Sequence, residues 1–234
     1  MSIHTDATAS PTLEAQWLDA VSPEDFIRNN STFNSLMMKY RCAIRQIETK
    51  LQVLNDEFSV TNKRNPISSI KSRVKSPSSI YGKLKRRGFP FTAESIVENL
   101  DDVAGVRVVC PFISDIYAIA QLITSQDDIT VLKIKDYIKN PKENGYRSYH
   151  MIVEVPVYFS DGKVPMRTEI QIRTMGMDFW ASVDHQLHYK KELISGMEVS
   201  SIEQALCLCA ETVNETDRRM EAIKDLIGEF VTEA

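Results

Sequence analysis

No run of 18 or more apolar residues occurs in the sequence, and Met1 to Pro11 are polar, with no basic stretch leading into an apolar one. Neither a membrane-spanning helix nor a secretory leader is indicated, so the chain is expected to be soluble and cytoplasmic. Cysteine is sparse and lacks a pairing pattern. Cys42, Cys110, Cys207 and Cys209 lie in apolar stretches without CxxC spacing. That argues against a disulfide framework or a zinc site and predicts buried free thiols. No internal repeat or low-complexity tract is visible. The length of 234 residues, 43% of them hydrophobic, suffices for one good core but not for two full domains with a linker. Acidic residues are missing from one place in particular. Nine basic residues and no acidic one fall between Lys63 and Arg87, which leaves 19 basic residues against 32 acidic ones elsewhere. Such a segment suits a local anion site, and a solvated basic face accounts for the charge equally well.

Apolar periodicity organises the rest. Residues 1–21 read as a loose tail. Ser22-Pro23-Glu24-Asp25 combines a capping residue, a proline at the first helical position and acids in the first turn. Phe33, Leu36, Met37, Tyr40, Ile44, Ile47, Leu51, Leu54 and Phe58 then recur at steps of three and four, predicting one long amphipathic helix over 22–60. A similar stripe, including Ile202, Leu206, Cys209, Val213, Met220, Ile223, Ile227 and Phe230, marks 195–234 as helical, and such terminal stripes often serve subunit contacts. Between them, β-rich runs at 67–74, 106–110, 129–138, 149–159 and 165–172 alternate with helical patterns near 79–86, 115–123 and 175–190. The expected fold is α+β: a mixed β-sheet flanked by helices, with long helices at both ends.

Three segments carry side chains suited to chemistry. In Arg167 to Arg173, strict alternation puts Arg167, Glu169, Gln171 and Arg173 on one face. Salt bridges across a solvated sheet would explain that face, but Asp101-Asp102 stands just before another strand, from which Arg107 projects. Two carboxylates on separate strands, ringed by cations, are the parts that hold Mg²⁺ against a polyphosphate. Around Ser78 or Ser79 a helix is expected to begin, with Ser79, Lys83 and Arg86 on one face, which makes a phosphate cradle. The loop Asn140 to His150 is rich in turn residues. Its Asn144-Gly145 reads as a hairpin turn, and its ring and cations also suit a purine nucleotide.

Taken together, RVKxxxSxxxKLxR at Arg73 to Arg86, DVAGVR at Asp102 to Arg107, NGYRSYH at Asn144 to His150 and the run from Glu169 to Lys190 resemble the synthetase domain of the RelA/SpoT family. The sequence has no His-Asp dipeptide, the metal motif of that family's hydrolase domain, and its helical ends make it most similar to the family's small alarmone synthetases. The resemblance implies a catalytic domain over 61–194 that moves pyrophosphate from ATP to the 3′-hydroxyl of GDP or GTP. It implies Asp102 and Glu169 as Mg²⁺ ligands, Glu169 also taking the proton. Arg73 and Arg107 would sandwich adenine, and Lys75, Ser79, Lys83 and Arg86 would bind the ATP phosphates. Tyr146 would stack on the acceptor guanine, and Tyr146→Phe, which keeps the ring, should be mild. Lys142 and His150 would meet the acceptor phosphates. Asp178 stands where these enzymes often carry Asn facing the guanine. A homotetramer joined through the terminal helices is implied, with no stable nucleic-acid partner. A different nucleotidyltransferase and an RNA-binding module are the rival readings. The first would use closely spaced carboxylates on one strand, and the second leaves Asp102 and Glu169 without purpose.

Overall fold

The structure is a computed structural model that describes residues 31–61, 64–191 and 197–232. The tail 1–21 and the helix start at Ser22 lie outside these residues. Helix α1 (Ser31–Thr61) buries Phe33, Leu36, Met37, Tyr40, Ile44, Ile47 and Leu51, the stripe expected from its spacing, and the burial fades by Leu54 and Phe58. That stripe covers one face of a five-stranded sheet made of β1 (Ser69–Val74), β2 (Ala104–Cys110), β3 (Thr130–Asp136), β4 (Tyr149–Phe159) and β5 (Gly162–Thr174). The order is β1-β2-β5-β4-β3, with β2 and β5 parallel and the other pairs antiparallel, so the sheet is mixed as expected. Val106, Val108, Met151, Val153, Ile170 and Ile172 join the α1 side chains in one core. Because side chains alternate along a strand, the residues between them present a polar face on the other side.

Helix α2 (Pro77–Arg87) begins earlier than the Ser78 or Ser79 expected from sequence. Ser76 is the cap, its Oγ accepting from the Ser79 N–H at 3.3 Å, and Pro77 occupies the first turn, where its missing N–H costs nothing. It ends at Gly88, whose φ of 73° is the left-handed conformation glycine adopts without penalty. Helix α3 (Ala93–Asn99), capped by Thr92, was not foreseen, since seven residues are too few to display a period. Helix α4 (Ile113–Thr124) follows β2 and packs on β2 and β5.

Two helices complete the chain: α5 (Met175–Lys191) and α6 (Met197–Thr232). Only part of the apolar stripe foreseen in α6 turns to the body. Inward lie Leu206, Ala210, Val213, Asn214 and Asp217, whereas Leu208 is 70% exposed and Met220, Ile223, Leu226 and Ile227 about half or more. The body offers α6 polar anchors: Thr174 Oγ1 donates to Asp217 at 2.6 Å and Trp180 Nε1 to the Leu206 carbonyl at 2.9 Å. The four thiols are free, but only Cys110 is buried, and burial pushes it up to about 12; Cys209 is exposed, which corrects the expectation of buried thiols. Among the described residues no helix is long and apolar enough to cross a membrane.

Candidate active site

Strand register builds the site. One row across the polar face reads Lys71, Arg107, Gln171, His150, Lys135, and the next reads Arg73, Gly105, Glu169, Ile152, Lys133. Lys71, Arg73, Asp102, Gly105, Arg107, Glu169 and Gln171 line an open cleft of about 690 Å³. Gly105 adds no side chain between Arg73 and Glu169, which keeps the floor of the cleft low.

Asp102 closes one end. Its Oδ2 accepts from Lys83 Nζ at 2.7 Å and Lys75 Nζ at 2.9 Å, while its buried Oδ1 has no partner. Burial would raise this carboxyl, but the bonds from Lys83 and Lys75 outweigh it and hold it below its ordinary value. Glu169 is gripped similarly. Oε1 takes a hydrogen bond from His150 Nδ1 at 3.0 Å and Oε2 one from Gln171 Nε2 at 2.8 Å. Burial again acts upward, and the His150 and Gln171 bonds prevail, so Glu169 also stays ionised. Among the described residues no three His, Cys, Asp or Glu side chains form a metal cage.

A second network runs beside the first. Arg173 Nη2 donates to Tyr146 Oη at 2.6 Å, and Tyr146 Oη lies 2.8 Å from His150 Nε2. Because Nδ1 faces an ionised carboxylate, the network assigns the proton to Nδ1, and Nε2 accepts from the tyrosine. Burial holds His150 below its ordinary value despite Glu169 beside it. Lys142 Nζ sits 4.8 Å from the Tyr146 ring centroid, and burial with the neighbouring Lys135 lowers its pKa. Asp178 joins the two networks, with Arg107 Nη1 at 3.0 Å and Arg173 Nη1 at 3.4 Å.

The cleft thus gathers Arg73, Asp102, Arg107 and Glu169, with Lys75, Lys83 and Asp178 bonded to its acidic and basic walls and Lys142, Tyr146 and His150 adjoining. Two candidates stand apart. Ser79 is occupied in the helix cap, accepting from Ser76 Oγ at 2.8 Å, and Arg86 is exposed on α2 outside the cleft lining.

The model of the region found in RelA and SpoT proteins matches residues 72–193, more than half of the chain. The chain belongs to the RelA/SpoT family. Within the family it falls among the small alarmone synthetases: GTP pyrophosphokinase YwaC of Bacillus subtilis strain 168 is 39% identical over 188 residues, covering 80% of this chain and 88% of that protein. The crystal structure of small alarmone synthetase 1 from Bacillus subtilis, bound to its product pppGpp, is 31% identical with a TM-score of 0.77, covering 85% of this chain and 99% of that one. The same synthetase bound to AMPCPP matches at 30% identity and a TM-score of 0.71, covering 86% of this chain and all of the other. For this family member, sequence reasoning passed over Lys133 and Lys135, and it put Gln171 and Arg173 on the polar face beside Glu169 without giving them a role. The signal was present for the first two as the alternating Lys-Ile-Lys of a strand, but only its pairing with His150 and Ile152 shows which face it joins.

Proposed function

We propose that this chain synthesises (p)ppGpp by transferring the β,γ-pyrophosphate of ATP to the 3′-hydroxyl of GDP or GTP, releasing AMP. The observation that carries the reading is a pair of carboxylates, Asp102 and Glu169, both kept ionised on one cleft between two separate sets of cations. A transferring phosphoryl group needs alignment and charge neutralisation more than covalent help. Arg73 and Arg107 offer planar guanidinium faces to adenine. Lys75 and Lys83, now on Asp102, are placed to meet the ATP phosphates, with Ser79 and Arg86 further along α2. On the other side Tyr146 supplies a ring for the guanine, Asp178 can accept from its N–H groups, and Lys142 with His150 meets the phosphates.

Glu169 takes the proton from the 3′-hydroxyl as the new O–Pβ bond forms, and the bond from Pβ to the α,β-bridging oxygen breaks, leaving that oxygen on AMP. His150 and Gln171 orient the carboxylate by holding both its oxygens. A carboxylate with a depressed pKa is a weak base, so it acts late, on an already acidified hydroxyl. Asp102 and Glu169 fit a Mg²⁺ ion. The orphaned Oδ1 of Asp102 is a buried acceptor suited to a cation, and a pair of carboxylates matches the habit of Mg²⁺, which completes its shell with water and substrate phosphates. Bound there, it would neutralise polyphosphate charge and acidify the hydroxyl.

We also take 61–194 as the catalytic unit, 195–234 as an oligomerisation element, and the cytoplasm, where ATP and guanine nucleotides meet, as its location. The half-exposed Met220, Ile223, Leu226 and Ile227 on α6 support association, in our reading as a homotetramer. Incubation with γ-³²P-ATP, Mg²⁺ and GDP, GTP or RNA tests the reaction. Label appearing on the guanine nucleotide with equimolar AMP is expected. Label on RNA alone, or ADP in place of AMP, overturns it.

A further inference from the structure

The proposed reaction assigns Arg147 no task, although the fold leaves it only 8% exposed. A buried guanidinium is retained at a cost unless its partners are fixed. Here Nη2 donates to Glu211 Oε1 at 2.8 Å, and Nη1 donates to the Gly145 carbonyl at 3.1 Å and reaches the Ala210 carbonyl at 3.5 Å. Glu211 and Ala210 belong to α6. The backbone beside Arg147 is equally close to that helix: a Cβ on Gly145 would stand 2.6 Å from Ala210 Cβ and 3.4 Å from Cys207 Cα, and Gly145 has φ +85°. Ala210 and Asn214 are the buried residues of α6 among those described, so the helix is embedded at the height of this loop. On either side of Ala210 it is pinned to the body by Trp180 and by Thr174.

Tyr146 is the residue between these two contacts, and its side chain goes to His150 and Arg173. The peptide from Gly145 to Arg147 is therefore held by a helix at its back while its central ring faces the site. We infer that Arg147 is a positioning residue which, through Glu211, sets the placement of Tyr146, so that α6 governs affinity for the guanine acceptor without touching it. The inference rests on the reading of Tyr146 as the acceptor platform. It has a consequence for regulation: whatever displaces α6, including assembly through its exposed apolar residues, changes acceptor affinity and leaves ATP affinity alone.

Calorimetry of the full chain tests this, with GDP titrated in the presence of a non-hydrolysable ATP analogue, and the analogue titrated by itself. Glu211→Gln removes the charge from a side chain that is 56% exposed, so the fold is retained. Ala210→Val breaks no hydrogen bond but presses on Gly145. Both are expected to weaken GDP roughly fivefold or more, a usual size for coupling between sites, with no change for the analogue. Parallel loss of both affinities, or loss of neither, overturns the inference and leaves Arg147 a structural tie. Tyr146→Ala, run beside them, separates the failures. If it spares GDP binding, the acceptor reading falls and this inference with it; if it weakens GDP while Glu211→Gln and Ala210→Val do not, the positioning role alone falls.

Discussion

Removing one oxygen, in Tyr146→Phe, tests the network around the proposed acceptor site most directly. Judged by sequence, the change keeps the stacking ring and is mild. In the structure the hydroxyl accepts from Arg173 Nη2 and donates to His150 Nε2. Arg173 would retain Gln171 Oε1 at 2.8 Å and Asp178, so its loss is small. His150 would not recover: it is 8% exposed, and among the described residues only Tyr146 donates to Nε2. One buried acceptor left unsatisfied costs about 1–3 kcal/mol. With a value of about 2 kcal/mol, the melting temperature of a chain this size should fall by ~4–8 °C. Since His150 also steadies Glu169, kcat should fall about tenfold, equivalent to ~1.4 kcal/mol in the barrier. The KM for GDP or GTP should change little, because the ring remains. Initial rates at saturating ATP with varied acceptor, alongside a thermal melt, measure all three. Wild-type kcat and Tm in Tyr146→Phe would refute the relay from Arg173 through Tyr146 and His150 to Glu169.

Asp102→Asn and Glu169→Gln, which change charge at nearly constant volume, should each cost more than about a hundredfold in turnover, the scale of a lost electrostatic stabiliser; near wild-type transfer by either, with a native circular dichroism spectrum, would remove it from the mechanism. Lys83→Ala should raise the apparent KM for ATP about tenfold or more, as befits loss of a charge-assisted hydrogen bond, while exposed Arg86→Ala should do less; a change in the acceptor KM instead would exchange the two subsites. Acid should be tolerated further than usual. His150 faces Glu169, Tyr146, Tyr137, Arg173 and Lys142, and burial keeps its pKa low; Asp102 and Glu169 are lowered too. Hence kcat should stay flat through about pH 6.5 and fall only below it, whereas an acid limb centred there would contradict the assigned state of His150. Stability carries the same sign: each folded pKa lies below the unfolded one, so the unfolded chain takes up protons first and stability drains away as pH falls between the two values, which melts across that range would record.

Some of this was legible in one dimension. A stripe at steps of three and four can be satisfied only by burial, so Phe33 to Leu51 announced a core helix, and the alternation from Arg167 to Arg173 announced a strand with one polar face. Alternation and charge also drew notice to Glu169 and the Asp101-Asp102 pair, because carboxylates flanked by cations need a reason that local structure does not supply, and the family resemblance singled out Asp102. What escaped was set by contacts remote in sequence. Helix α3 is too short to show a period, and the apolar stripe of α6 gave no sign that Leu206 and Val213 would face the body with Asn214 and Asp217 while Met220, Ile223 and Ile227 stayed exposed.

The sequence by itself determined which residues alternate, which recur with helical period, and which charges cluster between Lys63 and Arg87, since those are properties of neighbours along the chain. Only the tertiary structure decided that β2 lies beside β5, which brings Arg107 against Gln171 and Gly105 against Glu169 from more than sixty positions away. It alone joined His150 to both Glu169 and Tyr146, and set Gly145 against Ala210. Strand pairing and helix docking are chosen by the burial of whole faces, and a side chain's partners follow from that choice rather than from its place in the chain.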